Sequence, residues 1–319
     1  MEVSIGLPLP GGDPGGPPVA VTIGNFDVVH RGHQAVLEVA RAAAAPLGGQ
    51  TVVVTFEPHP RAVVGGGPAP ALLSPLDAKR DLLGAAGVGG LRVVEFTPAT
   101  MRLEPEAFLA RLRAAHRLAV LVVGPGFAFG YRRRGTVTML EADGLAHGYR
   151  VIVVEPALEA GERISSSRVR EAVAAGELDA ATQLLGRPLR LMGWVVPGQA
   201  LGRRLGFPTA NLRLLPGQAL PPRGVYAMRL RDGNGRWHAA AGNIGVRPHF
   251  GGGAPQVEAH CLDDPGNLYG QRVALDCVAR LRDEAVFPSD AELIAQMGRD
   301  VALTRARLAP AAGLERAEG

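Results

Sequence analysis

Two histidines three positions apart are the first residues of the chain whose types and spacing suit chemistry. His30 and His33 flank Gly32, after the apolar run Val19 to Ile23 and at the start of a helical pattern. This order predicts a strand, a turn and a helix start. Backbone N–H groups and the dipole at a helix start attract anions, and an imidazole can stabilise charge on a transferring phosphoryl group. Residues 24 to 33 therefore indicate a phosphate-binding turn; the alternative is an ordinary loop with two exposed histidines.

A run of serines marks a second candidate anion site. Ser165, Ser166 and Ser167 precede a predicted helix, Arg170 falls in its first turns, and Glu171 is placed to support an N-cap. Hydroxyls, N–H groups and a guanidinium at one helix start predict a polyanion site. The alternative is an ordinary capped helix with a surface arginine.

The second half of the chain carries a different set of polar residues. Glycines in the segment 202 to 212 let the backbone wrap closely on a ligand, and its N–H groups can bind an anion without lysine. Thr209 and Asn211 face one side of an extended segment and offer hard oxygens suited to a Mg²⁺ shared with phosphates. Glu258 and His260 share a strand face, where a carboxylate can deprotonate a hydroxyl. The alternatives are a glycine-rich surface turn and an outward-facing glutamate.

The composition excludes several classes of protein. The 319 residues are 47% hydrophobic and 20% charged, which suits two packed domains. The only lysine is Lys79, which follows Ala78 and Asp77, so the chain lacks a Walker A loop and the P-loop class is excluded. Cys261 and Cys277 have no metal-ligand spacing and are expected to be buried reduced thiols.

Partners and location follow from what the sequence lacks. No apolar run approaches the roughly 18 residues that a membrane span needs, and the first residues do not resemble a secretory signal. A cytoplasmic protein without a membrane partner is expected. Arg132 to Arg134 form a basic cluster, but no long basic run alternates with aromatic residues, so nucleic acid is not an expected partner. A homo-oligomer is left open.

The first half of the chain alternates strands with helices, which predicts an open α/β domain with a parallel sheet. Strands are predicted at 19–23, 51–56, 91–96, 119–123 and 150–154, and helices at 33–46, 76–86, 105–115 and 169–184. Ligands of such sheets bind beyond the carboxyl ends of the strands, where the segments after 23, 56 and 123 lie.

After residue 188 the hydrophobic period changes to two, which predicts a small antiparallel barrel. Its strands are expected at 189–196, 224–230, 237–242, 256–262 and 272–281, followed by a helix at 289–308. The predicted organisation is a disordered tail at 1–18, domains at 19–187 and 188–308, and a flexible tail at 309–319.

Ten motifs along the chain are familiar together: GNFDVVHRGH (24 to 33), TFEPHP (55 to 60), ISSSRVR (164 to 170), LLGRP (184 to 188), GRRLGFPTANL (202 to 212), GVY (224 to 226), NIGVRP (243 to 248), VEAH (257 to 260), LYG (268 to 270) and LRDEAVF (281 to 287). With these motifs the chain resembles the bacterial bifunctional riboflavin kinase/FMN adenylyltransferases, also called FAD synthetases, over residues 19 to 308. LGFPTAN is the most specific of them. The resemblance implies a Rossmann-like nucleotidylyltransferase domain followed by a riboflavin-kinase barrel.

The resemblance also implies two Mg²⁺-dependent reactions. ATP phosphorylates riboflavin to FMN in the barrel, and FMN then attacks the α-phosphorus of a second ATP in the first domain to give FAD and pyrophosphate. His30 and His33 would stabilise the adenylyl transition state, and Ser166 and Arg170 would hold pyrophosphate. Further residues implied to bind ATP or phosphate are Gly24, Phe26, Asp27, Gly32, Ser165, Ser167, Gly202, Arg203, Gly206 and Pro208. Those implied to bind flavin are Pro58, His59 and Phe127, those implied to bind the metal are Thr209 and Asn211, and the implied kinase base is Glu258.

The chain departs from the family pattern mainly in its first half. Val28 stands where the family has glycine, and Gly126 and Ala128 replace a carboxylate and a basic group. In the second half, His249 replaces a threonine and Asn267 an aspartate. The bifunctional enzyme is the favoured hypothesis. A kinase with an impaired first domain and a flavin-binding regulator without turnover are the alternatives.

Overall fold

The computed structural model describes residues 1–6, 15–65, 69–198, 201–246 and 255–309. The chain divides into two compact units, Met1–Ser166 and Ser167–Gly319, which are described one at a time. Among the described residues, no helix is both long and apolar enough to cross a membrane.

The first unit is built on a six-stranded sheet in which every pairing is parallel, in the order β1-β4-β3-β2-β5-β6. Its strands are β1 (Glu2–Gly6), β2 (Val19–Ile23), β3 (Gln50–Glu57), β4 (Gly90–Glu95), β5 (Leu118–Val123) and β6 (Arg150–Val153). The valine-rich runs of β2, β3 and β5 are buried, as strands covered on both faces must be. The predicted open α/β fold is confirmed.

Helices cover both faces of this sheet. They are α1 (Arg31–Ala44), α2 (Pro60–Val64), α3 (Leu76–Ala85), α4 (Pro98–Met101), α5 (Pro105–Ala115) and α6 (Val137–His147), and a small hairpin of β7 (Leu158–Glu159) and β8 (Glu162–Arg163) follows β6. Leu37 of α1 and Leu83 of α3 pack on one side, and Leu109 of α5 packs with Leu140 of α6 on the other. The carboxyl ends of β2, β3 and β5 remain available for a site.

Two predictions about this unit are corrected. The disordered tail expected at 1–18 is wrong for Glu2–Gly6, which forms β1 and pairs with β4; glycine and proline begin only at Gly6, and the backbone of β4 gains a partner along its edge. The helix α6 was not predicted, although Thr136 caps it by accepting the Met139 N–H at 3.3 Å.

The second unit contains a closed antiparallel barrel of six strands, in the order β10-β13-β12-β11-β14-β9. The strands are β9 (Leu189–Val196), β10 (Ala210–Leu214), β11 (Gly224–Arg231), β12 (Trp237–Val246), β13 (Pro255–Cys261) and β14 (Arg272–Arg282). Its helices are α7 (Ser166–Ala175), α8 (Leu178–Leu185), α9 (Leu201–Arg204) and α10 (Asp290–Leu308). The predicted barrel and final helix are confirmed, and β10 is a strand that the sequence pattern did not identify.

The helix predicted at 169–184 is two helices, because Gly176 ends α7 with φ 78°. The division between the units also comes earlier than the predicted domain boundary near 187, since α8 packs against β9 and β14 of the barrel. The predicted flexible tail lies outside the described residues after Ala309.

Candidate active sites

The turn between β2 and α1 is made by residues in an unusual backbone conformation. Phe26, Val28 and Val29 have positive φ angles of 45°, 74° and 49°, and all three side chains are buried. Such angles are rare for residues with a Cβ and cost most in β-branched residues. The Val28 side chain, where the resemblance calls for glycine, has therefore not prevented the turn from forming.

His30 and His33 meet at the start of α1. Their rings are stacked, with centroids 3.7 Å apart, and the His33 N–H donates to His30 Nδ1 at 3.2 Å. Gly32 makes room for this arrangement, because a Cβ there would lie 3.2 Å from the His30 ring. Since His30 Nδ1 accepts a hydrogen bond, a neutral His30 carries its proton on Nε2.

Both imidazoles are neutral near pH 7. Burial, aided by the positive charge of Arg163, lowers the pKa of His30 to about 4. Burial also lowers the pKa of His33 well below its usual value, with further lowering from His30, Lys79 and Arg163. His33 Nδ1 is buried and has no hydrogen-bond partner among the described residues. The pair consequently offers neutral N–H donors rather than imidazolium charge.

Asp27 and Ser166 fasten this turn to the rest of the unit. The buried Asp27 carboxylate accepts the Ser74 N–H at 2.7 Å and the Leu73 N–H at 3.2 Å. The Ser166 hydroxyl donates to the Asp27 carbonyl at 3.2 Å, which places Ser166 beside the histidine turn. Asp27 thus supports the shape of the site through backbone contacts.

Lys79 is a residue of this site that sequence reasoning used only to exclude a P-loop. It is 5% exposed, and its Nζ donates to Thr55 Oγ1 at 3.3 Å, while that hydroxyl donates to the Asn25 carbonyl at 3.0 Å. Burial lowers the pKa of Lys79, and Asp27 and Glu57 oppose the shift. Its signal in the sequence was its uniqueness in a chain whose other basic residues are arginines.

The remaining predicted residues of the first site lie on several separate segments of the chain. Gly24 continues the sheet by donating its N–H to the Val54 carbonyl at 3.0 Å. His59 Nε2 lies 3.4 Å from Asn25 Nδ2, so the segment that begins at Pro58 lies beside the turn. Phe127 stacks on Phe129 of the core. Ser165 immediately precedes α7, and Ser167 and Arg170 lie in α7 within the second unit.

In the second unit, glycines shape the loop that leads from α9 into β10. The Phe207 N–H donates to the Gly202 carbonyl at 2.7 Å, and a Cβ on Gly202 would lie only 2.3 Å from the Phe207 carbonyl oxygen. Gly206 has φ 86°, which glycine adopts without strain. The Pro208 carbonyl lies 2.8 Å from His260 Nδ1, so the loop is tied to β13.

Strand pairing brings the predicted kinase residues together. Asn211 of β10 lies opposite Glu258 of β13, and Thr209 Oγ1 lies 3.5 Å from Glu258 Oε2. Gln256, which sequence reasoning missed, donates from Nε2 to Asn211 Oδ1 at 2.7 Å and to Glu258 Oε1 at 2.6 Å. Its signal was its position two residues before Glu258, which puts both side chains on one face of the strand.

Thr209 lies on the walls of two cavities. One, of about 460 Å³, is lined by Gly202, Asn211, Gln256 and Glu258 together with apolar side chains from the loop and α10. The other, of about 640 Å³, is lined by Arg203, Pro208, Asn267 and Tyr269 on the far side of the loop. Thr209 lines both cavities, whereas Asn211, Gln256 and Glu258 line only the first.

The oxygens around Thr209 fit a magnesium ion that is shared with a substrate. Thr209 Oγ1, Asn211 Oδ1 and the Glu258 carboxylate are hard donors on adjoining strands. Within the described ranges, no group of three or more His, Cys, Asp or Glu side chains could hold a metal by itself. Because Mg²⁺ commonly keeps waters and substrate phosphates as ligands, this sparse set suits it.

The departures from the family pattern are accommodated locally. Asn267 Oδ1 accepts the Tyr269 N–H at 3.1 Å, so the amide still closes its turn. Gly126 has φ 67°, and a Cβ there would meet nothing within 4 Å. His249 lies outside the described residues.

The fold and the two sites define a two-part enzyme of nucleotide chemistry, and comparison with known proteins gives its family. The family models for FAD synthetase and riboflavin kinase match residues 16–168 and 185–308. Bifunctional riboflavin kinase/FMN adenylyltransferases from Haemophilus influenzae and Pseudomonas fluorescens are 38% and 40% identical, over 90% and 91% of this chain and 93% of each relative. The chain belongs to the family of bifunctional riboflavin kinase/FMN adenylyltransferases.

A solved structure shares this architecture. The crystal structure described as a macrolide-efflux protein from Streptococcus pneumoniae is 31% identical, with a TM-score of 0.81 over 91% of this chain and 95% of that chain. The family predicted from the sequence is therefore confirmed. A kinase with an impaired first domain and a non-catalytic regulator find no support among these relatives, whose names carry both activities.

Proposed function

We propose that Thr209, Asn211 and Glu258 form the riboflavin kinase site of this bifunctional enzyme, and that His30 and His33 form its adenylyl-transfer site. The observation that carries the kinase assignment is that Thr209, Asn211 and Glu258 line one cavity, in which the Thr209 hydroxyl lies 3.5 Å from the Glu258 carboxylate. A kinase needs this arrangement, because the metal ligands and the base must lie beside the same reacting hydroxyl.

In the kinase reaction riboflavin and the phosphate end of ATP meet in the 460 Å³ cavity, beside Thr209, Asn211 and Glu258, and the rest of ATP lies toward the other cavity. Leu205, Phe207 and Met297 give the first cavity apolar walls that suit a flat flavin ring. Arg203 and Pro208 line the nucleotide side. The 5′-hydroxyl oxygen of riboflavin bonds to the γ-phosphorus of ATP, the bond to the bridging oxygen breaks, ADP leaves, and Glu258 accepts the hydroxyl proton.

Magnesium would be held by Thr209 and Asn211 together with ATP phosphates. When bound, it supplies positive charge that offsets the charge developing on the phosphoryl oxygens. The protein's own part is to hold the hydroxyl of Thr209 and the amide oxygen of Asn211 in register with Glu258 across β10 and β13.

In the adenylyl transfer a phosphate oxygen of FMN bonds to the α-phosphorus of ATP, and the bond to pyrophosphate breaks. His30 donates from Nε2 to the reacting phosphoryl group. His33 keeps the His30 ring in place by stacking on it and by donating its backbone N–H to His30 Nδ1. The serine segment 165 to 167 and Arg170 bind the pyrophosphate. Pro58, His59 and Phe127 contact the flavin, and backbone N–H groups near Gly24 and Gly32 bind phosphate.

Each activity is an internal control for the other. Glu258→Gln should abolish most FMN formation from riboflavin while leaving FAD formation from supplied FMN near the wild-type rate. His30→Asn should do the reverse. Separating the flavins after incubation with ATP and Mg²⁺ measures both; equal loss of the two activities in either variant would contradict the assignment.

The setting of the enzyme is also proposed here. We expect it to act in the cytoplasm, where ATP and riboflavin are available, on small-molecule substrates and without a nucleic-acid or membrane partner. We assign adenylyl transfer to residues 19–187 and phosphorylation to residues 188–308. A gel-filtration profile with light scattering would decide whether the chain works as a homo-oligomer.

A further inference from the structure

We propose that Gln256 is a positioning residue of the kinase, which fixes the base and a metal ligand at once through the two hydrogens of its amide group. The inference rests on the proposed roles of Glu258 and Asn211. It adds a third side chain, which neither binds the metal nor accepts the proton.

The geometry of the amide is the first observation. Gln256 Nε2 lies 2.6 Å from Glu258 Oε1 and 2.7 Å from Asn211 Oδ1, both within the range of strong hydrogen bonds. An amide nitrogen carries two hydrogens, so both bonds form simultaneously. Gln256 and Glu258 alternate on one face of β13, and Asn211 lies opposite Glu258 on β10.

The carboxylate determines which way Gln256 points. An ionised carboxylate only accepts hydrogen bonds, so Gln256 must turn its NH₂ group toward Glu258. Gln256 Nε2 also lies beside the Asn211 amide and needs an acceptor there. The atom that faces it is therefore Asn211 Oδ1 rather than Nδ2. A flipped Asn211 amide would bring two donors together and lose the bond.

This orientation has a consequence for the metal. A carbonyl oxygen has two lone pairs, so Asn211 Oδ1 can accept from Gln256 and still coordinate a cation. At the same time Glu258 Oε1 is held by Gln256, and Oε2 is the oxygen that faces Thr209. Gln256 therefore sets both the oxygen that faces the metal position and the oxygen that faces the reacting hydroxyl.

The size of the effect follows from the behaviour of residues that orient metal ligands. Loss of such a residue typically costs roughly 10- to 100-fold in metal affinity or activity. We expect Gln256→Met, which keeps the length but removes both donors, to lower kcat of FMN formation by about this factor. The KM for riboflavin should change little, because the flavin ring contacts other walls of the cavity.

The test uses the full-length enzyme with a matched control. Gln218 also bridges two groups, since its Oε1 accepts the Met192 N–H and its Nε2 donates to the Arg190 carbonyl, but it does not line the cavity. Gln218→Met should leave the kinase kcat unchanged. In Gln256→Glu the side chain keeps its shape and loses its donors, so kcat should fall at least as far as in Gln256→Met.

A binding measurement separates this role from simple packing. Titration calorimetry should show that Gln256→Met weakens the binding of ADP in the presence of Mg²⁺ but not in its absence. A wild-type kcat in Gln256→Glu, or unchanged Mg²⁺-dependent ADP binding in Gln256→Met, would overturn the inference. If Glu258→Gln instead retains full kinase activity, the kinase assignment itself fails; tryptophan-monitored unfolding reports folding of the barrel in every variant, because Trp194 and Trp237 both lie in the second unit.

Discussion

Val28 gives a direct test of the turn that carries the histidine pair. Its φ is 74° and its side chain is 1% exposed, so it combines a strained backbone with a buried valine. A left-handed conformation costs an L-residue about 1–2 kcal/mol relative to glycine. Replacing Val28 with alanine keeps that strain, whereas replacing it with glycine removes it.

Val21 is the reference for the stability difference between alanine and glycine variants, because it is fully buried in β2 with an ordinary strand conformation. There, going from alanine to glycine loses a buried methyl worth about 0.8 kcal/mol and adds about 0.5–1 kcal/mol of backbone entropy. Val21→Gly should therefore be about 1.5 kcal/mol less stable than Val21→Ala. At Val28 the relief of strain offsets this loss, so the glycine and alanine variants should be nearly equal in stability.

Amide hydrogen exchange of peptides from β2, β3 and β5 is the assay, because both tryptophans, Trp194 and Trp237, lie in the second unit and do not report on the first. If the glycine variant were less stable than the alanine variant by the same amount at Val28 and at Val21, the left-handed conformation of Val28 would be refuted. Val28→Gly should also raise the rate of FAD formation from FMN relative to Val28→Ala. If neither variant changes that rate, the Gly126 departure becomes the one to test.

Three further outcomes are expected. Because the pKa of His30 is lowered to about 4, the part of the pH dependence of FAD formation that His30→Asn removes should lie near that value; an acid limb near pH 6.5 that His30→Asn removes would contradict a neutral pair. The buried Lys79 amine should resist acetylation in the native protein and react after denaturation, as judged by the mass of its peptide; rapid native labelling would contradict its burial. Asp300→Asn should cost on the order of 2 kcal/mol, because Asp300 accepts three hydrogen bonds from the Arg282 guanidinium, at 2.9, 3.2 and 2.6 Å; a change below about 0.5 kcal/mol in tryptophan-monitored unfolding would show that this pair does not hold α10.

The parts of the fold that could be predicted are those with a strong local period. The valine runs of β2, β3 and β5 and the alternation in β9 and β14 are set by burial on two faces or on one, which a sequence shows directly. The break at Gly176 and the helix α6 were missed for a different reason. A single glycine inside an apolar helical pattern reads as tolerated, and the pattern of α6 is diluted by small residues, so its cap at Thr136 was the only clear signal.

The site residues that could be predicted are likewise those with a local signal in the sequence. The spacing of His30 and His33 predicted a shared helix start, since both lie within four residues of each other. Lys79 and Gln256 were missed because their partners are distant in the chain: Thr55 precedes Lys79 by 24 positions, and Asn211 precedes Gln256 by 45. The position of α3 beside β3 brings Lys79 to Thr55, and the pairing of β10 with β13 brings Asn211 to Gln256; a sequence without a structure gives neither arrangement.

The charge of the attacking group accounts for the different residues in the two sites. The phosphate of FMN is already an anion, so adenylyl transfer needs no base, and a neutral histidine pair can serve it by donating hydrogen bonds. The hydroxyl of riboflavin is neutral and must lose a proton, so we assign the role of acceptor to Glu258 of the barrel, whose carboxylate lies 3.5 Å from Thr209. The histidine pair and the carboxylate could not replace each other. A carboxylate beside the α-phosphoryl group would repel the attacking anion, and neutral N–H donors would leave the riboflavin proton without an acceptor.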